Sequence, residues 1–263
     1  FMQELIDIGV NLKSPDFRND LDDIVQRALS KNVRILIATG TNLRSSEQSY
    51  QMTQKYKNVV YSTAGVHPHD ARNCDGSTLS KLKALLSHKE VVAVGECGLD
   101  FNRNFSPQDV QKKWFALQVE LACQIQKPLF LHDREASDAF ISILKEHANL
   151  PPAVVHCFTG TYNELKQYLD QGYYIGITGW VCDERRGIPL QKIIHYIPLD
   201  RLMLETDAPF LIPRNIFPRP KTNRNEPAFL PYVLKKVAQC YNKSADEIAQ
   251  KTTENARRFF QLP

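Results

Sequence analysis

Histidines and carboxylates recur in this chain at one kind of place, the end of an apolar run. VVAVGECGLD passes from β-branched residues to Gly95 and then Glu96, and GVHPHD carries His67 with His69 and Asp70 beyond it. PLFLHDRE ends in His132, AVVHCFTG in His156, and LMLETDAP in Glu205 and Asp207. One histidine in an apolar run is more often a satisfied core residue than a ligand, and Glu96 taken alone pairs as readily with a buried arginine. Five run ends that each deliver an ionisable group are a different case, because burying them without a metal or a bound charge is costly. The set reads as a metal site of mixed nitrogen and oxygen donors, which suits Zn²⁺, Mn²⁺, Fe²⁺ or Mg²⁺ and disfavours a thiolate centre. Asp207 is a candidate ligand or general base, with an outer partner of a histidine as the alternative role. Glu205, one residue out of phase, is expected to support the site.

Such groups meet only if the run ends converge. The runs at Leu5–Val10, Val33–Thr39, Val59–Gly65, Val91–Gly98, Pro128–His132, Ala153–Phe158, Tyr173–Gly179 and Leu202–Thr206 favour strands. Unbroken apolar runs of this kind are covered on both faces, as in a parallel sheet. Helices are expected at Asp20–Ser30, Ser45–Tyr56, Leu79–Ser87, Gln108–Gln126, Ala136–His147, Asn163–Gln171, Leu190–Tyr196, Ala228–Tyr241 and Ala245–Phe260. The last starts at Ser244, an N-cap with Glu247 at N3. Eight runs joined by helix-length spacers favour parallel pairing through right-handed crossovers, and a length near ~250 residues fits a (β/α)8 TIM barrel. A single domain over residues 1–263 follows. An open doubly wound sheet is the alternative, but its first turn should carry GxGxxG and here reads GVNLKS, and no GxxxxGK[ST] occurs either. In a barrel the C-terminal strand ends share one mouth, and the Pro- and Arg-rich span Ile212–Pro227 is expected to be a long functional loop.

Composition narrows the class less. With 263 residues, 43% hydrophobic and 24% charged, the chain resembles an ordinary globular domain, and a net charge of +4 is compatible with a polyanionic partner without requiring one. The six cysteines form no CxxC pair, and Cys97 and Cys157 are expected in buried strands as reduced thiols. No apolar run reaches the ~18–20 residues that span a bilayer. The start of the chain lacks the basic-then-apolar layout of a signal peptide, and Phe1 ahead of Met2 reads as a cloning remnant. A cytoplasmic monomer with no obligate protein partner is the default expectation.

GVHPHD, GECGLDF, FLHDREA, HCFTG, YIGITGWVCDERRG, ETDAP and RNEPA occur in an order and spacing that resembles the TatD-related metal-dependent hydrolases, from Asp7 to about Phe260. The GVNL opening and GWVCDERRG resemble the bacterial members most. The resemblance implies an amidohydrolase-like TIM barrel and a cytoplasmic Mg²⁺-dependent deoxyribonuclease. It further implies a 3′–5′ exonuclease that prefers single-stranded DNA, also acts on RNA, and serves repair of damaged DNA. It carries Glu96, His132 and His156 over as metal ligands, with Glu96 bridging when two ions bind. Asp207 becomes the catalytic acid of the eighth strand, itself at the metal edge, and His67 the pocket histidine of the third. One departure stands out. Most such barrels carry D-x-H-x-H on the first strand, whereas this chain reads Asp7-Ile8-Gly9-Val10-Asn11. Glycine offers no ligand and asparagine only a neutral amide oxygen, so the first of two ion sites should be weak and tilt towards a hydrated Mg²⁺. Mn²⁺ or Zn²⁺ remain alternatives, as does a count of one or two ions.

The mechanism expected on this reading is metal-assisted hydrolysis of a phosphodiester, with Asp207 taking the proton of the attacking water. Arg134 is placed to clamp phosphate. Arg103, Arg185, Arg186, Arg214, Arg219, Lys221 and Arg224 fall in loops after strands, with Phe101, Phe158, Trp180 and Phe217 among them. Cations interleaved with aromatics suit a single strand, whose phosphates meet arginines while bases stack. Two other readings use the same residues: hydrolysis of an amide or ester, such as an aminoacyl-tRNA ester, and a non-catalytic nucleic-acid-binding protein.

Overall fold

The computed structural model describes residues 3–263; Phe1 and Met2 lie outside them. Eight strands follow one another in the sheet in chain order: β1 (Leu5–Val10), β2 (Val33–Ala38), β3 (Val60–Ala64), β4 (Val91–Asp100), β5 (Leu129–Arg134), β6 (Ala153–Val155), β7 (Tyr174–Ile177) and β8 (Leu202–Leu204). Helices α1 (Leu21–Ser30), α2 (Leu43–Lys55), α3 (Thr78–Leu86), α4 (Gln108–Ile125), α5 (Ser137–Lys145), α6 (Tyr162–Asp170) and α7 (Ile188–Ile193) fall between successive strands. α8 (Leu230–Tyr241) and α9 (Ala245–Phe260) follow β8. This is the (β/α)8 TIM barrel that the alternation of runs and spacers predicts. The strands are buried almost throughout, as expected when helices cover one face and packed side chains the other.

The chain falls into two compact units, one running to Ile37 and resuming at Cys157–Pro263, the other Ala38–His156. In the first, the ends of β1 and β8 are joined by bonds from Asp207 N to Gly9 O at 2.8 Å and from Asn11 N to Ala208 O at 2.9 Å. The long segment after β8 is irregular, as its prolines require, yet it is pinned. Asn225 Nδ2 donates to Thr206 O and Phe210 O, and Asn215 Nδ2 to Tyr232 O. Ser244 caps α9 by accepting from Glu247 N at 3.1 Å.

The second unit carries β3–β6 in parallel register. Two glycines make the close approach of β4 and β5 possible. A Cβ on Gly95 would stand 2.1 Å from Phe130 O and one on Gly98 1.8 Å from His132 O, and both have φ values that side chains resist, +145° and +152°. Between them the register slips, so that Gly95 pairs with Phe130 and Cys97 already with Leu131. Glu96 is the extra residue of this bulge, and such bulges re-aim a side chain next to functional sites.

Helix α4 braces the loops that leave β3 and β4 with two buried glutamines on one face. Gln118 accepts from Val66 N at 2.8 Å and donates to Val66 O at 3.2 Å. Gln111 accepts from Asp100 N and donates to Asp100 O and Ser106 O. Each amide mimics a strand neighbour where the ladder has ended, leaving no buried backbone group of Val66 or Asp100 unpaired.

Cys157 differs from expectation. β6 stops at Val155, and Cys157 is half-buried with φ at +49°, outside strand geometry. Cys97 is buried in β4 as expected. The expected helix Leu190–Tyr196 begins earlier, with Pro189 in its first turn, and tightens to a 3-10 turn over Ile194–Tyr196.

Candidate metal centre

Four of the singled-out residues meet inside the second unit. His67 lies just past β3, Glu96 at the β4 bulge, His132 in β5 and His156 directly after β6. Glu96 Oε2 stands 2.7 Å from His156 Nε2, 3.2 Å from His132 Nδ1 and 3.4 Å from His67 Nε2. Glu96 and His156 are almost wholly buried. One largely buried carboxylate oxygen facing three imidazole nitrogens is a place for a cation. Burial opposes charge on Glu96, but the surrounding imidazoles, His156 first, hold its carboxyl well below the usual range.

Hydrogen bonds divide the histidines by role. His67 Nδ1 accepts from His69 N at 3.0 Å, so in the neutral ring the proton sits on Nε2 and points at Glu96. Burial pushes the His67 pKa down, which keeps the ring neutral. His67, although its Nε2 shares the cluster of His67, Glu96 and His132 donor atoms within 4.8 Å, is therefore a hydrogen-bond donor rather than a lone-pair ligand. His132 has the opposite arrangement. Its Nε2 faces Asp100 Oδ2 at 3.0 Å, leaving Nδ1 turned to Glu96. A carboxylate that takes one ring proton while the other nitrogen ligates is the usual support of a metal-bound histidine. Burial lowers the His132 pKa, but hydrogen bonds to Asp100 and Glu96 outweigh it and the net shift is upward. The donor set Glu96, His132 and His156 thus fits a divalent ion.

Asp100 is the residue of this cluster that sequence reasoning missed. It is buried, takes His132 Nε2 and, at 3.3 Å, His69 Nε2 on one oxygen, and accepts Asn102 N and Arg103 N on the other. Burial opposes its charge, but His132 and the Arg103 amide outweigh it and hold its carboxyl well below the usual range. Its signal was its place four residues after Glu96 in the same strand, where side chains share a face. Asp100→Asn keeps an oxygen for the loop amides but turns an amide towards two ring N–H groups. It is expected to lower metal affinity and kcat/KM by about 10–100-fold, read by calorimetric titration with Mn²⁺ and by steady-state kinetics. Unchanged affinity would show that His132 needs no orienting partner.

The remaining predicted residues are placed differently. Asp207 follows β8 in the other unit with φ at +55°, and its Oδ1 accepts from Asn11 Nδ2 at 3.3 Å. Asn11 also donates to Ala208 O, while its own oxygen accepts from Lys13 Nζ at 3.3 Å. The residue that stands for a first-strand histidine is thus engaged in holding the β1 and β8 ends. Phe158 is buried edge-to-face against Tyr168, in the core rather than on a surface a base can reach. Trp180 lies under the Arg186 guanidinium at 4.3 Å. Arg185 and Arg186 both bind Asp183, Arg214 grips Glu184, and Arg224 makes two bonds to Asp20. Four arginines of the expected rim therefore spend their charge on carboxylates. Arg134 is exposed at the end of β5.

Comparison with known proteins agrees with this geometry. The family model described as TatD related DNase matches residues 6–261. The chain is 49% identical over 259 residues to the 3′-5′ ssDNA/RNA exonuclease TatD of Edwardsiella piscicida, spanning 98% of this chain and 100% of that one. Among solved structures, a hydrolase TatD family protein from Entamoeba histolytica superposes with a TM-score of 0.91 at 26% identity over 100% of both chains. The TatD homolog YJJV from Escherichia coli K12 gives 0.89 at 29% identity over 98% of each. The family model and the full-length relative bear on the whole chain, strand ends included: it belongs to the TatD related DNase family.

Proposed function

We propose that this protein is a divalent-metal-dependent nuclease that removes nucleotides from the 3′ end of single-stranded DNA and RNA by phosphodiester hydrolysis. The observation that carries the reading is the single Glu96 oxygen ringed by His156, His132 and His67, with His132 fixed by Asp100. The polarity and the substrate come from relatives named 3′-5′ ssDNA/RNA exonucleases at 49% identity. Mg²⁺ is the ion we assign, with Mn²⁺ or Zn²⁺ as substitutes, because a site with one carboxylate and two imidazoles accepts all three. We assign the activity to DNA repair, the role that the resemblance to the family implies. Six free thiols, two of them fully buried, suit a reducing compartment such as the cytoplasm.

When bound, a divalent ion supplies Lewis acidity, drawing charge from a phosphate oxygen and acidifying the attacking water. Glu96, His132 and His156 would hold it, and Asp100 fixes the His132 tautomer. His67, protonated on Nε2, donates a hydrogen bond to phosphate or to Glu96. Asp207, the counterpart of the family's eighth-strand acid through its ETDAP motif, accepts the proton. Arg134 offers its guanidinium to a phosphate.

The test is single-stranded DNA labelled at either end, incubated with Mg²⁺, Mn²⁺ or EDTA. Stepwise shortening from the 3′ end that EDTA abolishes is expected. An intact substrate in the presence of either metal, with ester or amide substrates hydrolysed instead, would sink the assignment.

A further inference from the structure

The loop between β4 and α4, Phe101–Pro107, presents an aromatic side chain that neither the metal centre nor the core uses. Phe105 is 52% exposed. Its ring stands edge-on to His69 at 4.8 Å, His69 packs on His67 at 4.3 Å, and His69 Nε2 shares the Asp100 oxygen that takes His132. Two ring contacts therefore link an exposed aromatic side chain to the Glu96 cluster.

The loop is held rather than loose. Asp100 Oδ1 accepts Asn102 N and Arg103 N, Gln111 grips Asp100 O and Ser106 O, and Asn104 Nδ2 donates to Phe101 O. Ser106, next to Phe105, is buried, donating to His69 O and accepting from Arg72 N. A fixed loop that buries one residue and holds its neighbour's ring in solvent has the form of a preorganised contact. Arg103, two residues earlier, is exposed, and its guanidinium has no partner among the described residues. Its charge is free for phosphate, unlike that of Arg185, Arg186, Arg214 and Arg224. An unengaged cation and an exposed ring on one short loop are the two groups with which proteins hold single strands, phosphate on arginine and base on the aromatic face.

We infer that Phe105 is the stacking platform for one of the two bases flanking the scissile phosphate, with Arg103 holding the neighbouring phosphate. The inference rests on the nuclease reading above. It makes the enzyme require an unpaired, flexible end, since a base in a duplex cannot turn onto the ring. It also makes the enzyme tolerant of sequence, because every base has a π-face.

The test compares wild type, Phe105→Ala and Phe105→Trp on oligonucleotides carrying an abasic residue at the terminal, penultimate or third position from the 3′ end. Wild type is expected to cleave on the order of tenfold more slowly when one of the two flanking bases is missing. Phe105→Ala is expected to lose a similar factor, mainly in KM, on the intact strand and to show no further loss on the abasic one, while Phe105→Trp restores the dependence. Equal Mn²⁺-induced stabilisation of the three proteins checks that the metal centre is unaltered. A Phe105→Ala protein that still distinguishes intact from abasic ends, or one indistinguishable from wild type, overturns the platform. Wild type inactive on every strand would instead overturn the nuclease reading.

Discussion

Glu96→Gln is expected to leave a folded protein whose kcat/KM on single-stranded DNA is lower by on the order of 10³-fold or more, the equivalent of several kcal/mol of lost charge stabilisation. The amide fills the same volume at the β4 bulge but brings no charge, and it turns a donor towards His156, His132 and His67, which the carboxylate oxygen faces at 2.7, 3.2 and 3.4 Å. The readout is twofold. Steady-state kinetics give the rate, and thermal unfolding with and without Mn²⁺ gives the binding, since an ion held only by the folded state raises the midpoint. Wild type should gain stability on adding metal and the variant should not. A variant within about tenfold of wild type, or one still stabilised by metal, would place the ion elsewhere.

The second large effect concerns stability and pH. Asp7 in β1 is fully buried, accepting from Thr206 N at 2.9 Å, from Gly9 N at 3.2 Å and from Thr206 Oγ1 at 2.5 Å. Burial outweighs these bonds, and with Glu205 adding its charge the Asp7 pKa is pushed up to about 8. In the unfolded chain the same group titrates near about 4. Between those values the folded state binds a proton that the unfolded state has lost, so stability falls as pH rises through the window and levels off above it. Asp7→Asn carries the neutral form permanently, its oxygen accepting from the two backbone amides and its nitrogen facing Thr206 Oγ1. Urea unfolding at pH 5 and pH 8.5 is expected to show the variant gaining on wild type by a few kcal/mol at the higher pH, one pKa unit being about 1.4 kcal/mol. A gap that does not widen with pH would mean that Asp7 is ionised in the fold.

Much of the scaffold could be read from local pattern because strands buried on both faces announce themselves as apolar runs and α9 announces itself by its cap. The ends of those runs were less readable. His156 and Asp207 leave strand geometry at or just after the last apolar residue, and Cys157 and Asp207 take positive φ values that no apolar count registers. The metal cluster was visible as residue types, but the division of labour within it was not. The proposed roles of His67 as donor and His132 as ligand depend on which ring nitrogen meets His69 N and which meets Asp100. The arginine rim was over-read for a related reason. Cations stand out in a sequence, but whether they are free depends on carboxylates such as Asp20, 204 positions from Arg224. Phe105 went unnoticed because one phenylalanine in a polar loop has no periodicity to betray it.

The two glutamines of α4 have a consequence for how this scaffold diversifies. Gln118 holds the loop that begins at Val66 and carries His67, and Gln111 holds the loop that carries Arg103 and Phe105. The amides lie two turns apart on one helix, so a single inserted residue between them would rotate one by about 100° relative to the other and let go of one loop. The loop bearing His67 and the loop bearing the proposed stacking platform are therefore held in fixed relation by one helix. Transplanting the Phe101–Pro107 loop into a relative should succeed only when the α4 segment bearing both glutamines travels with it.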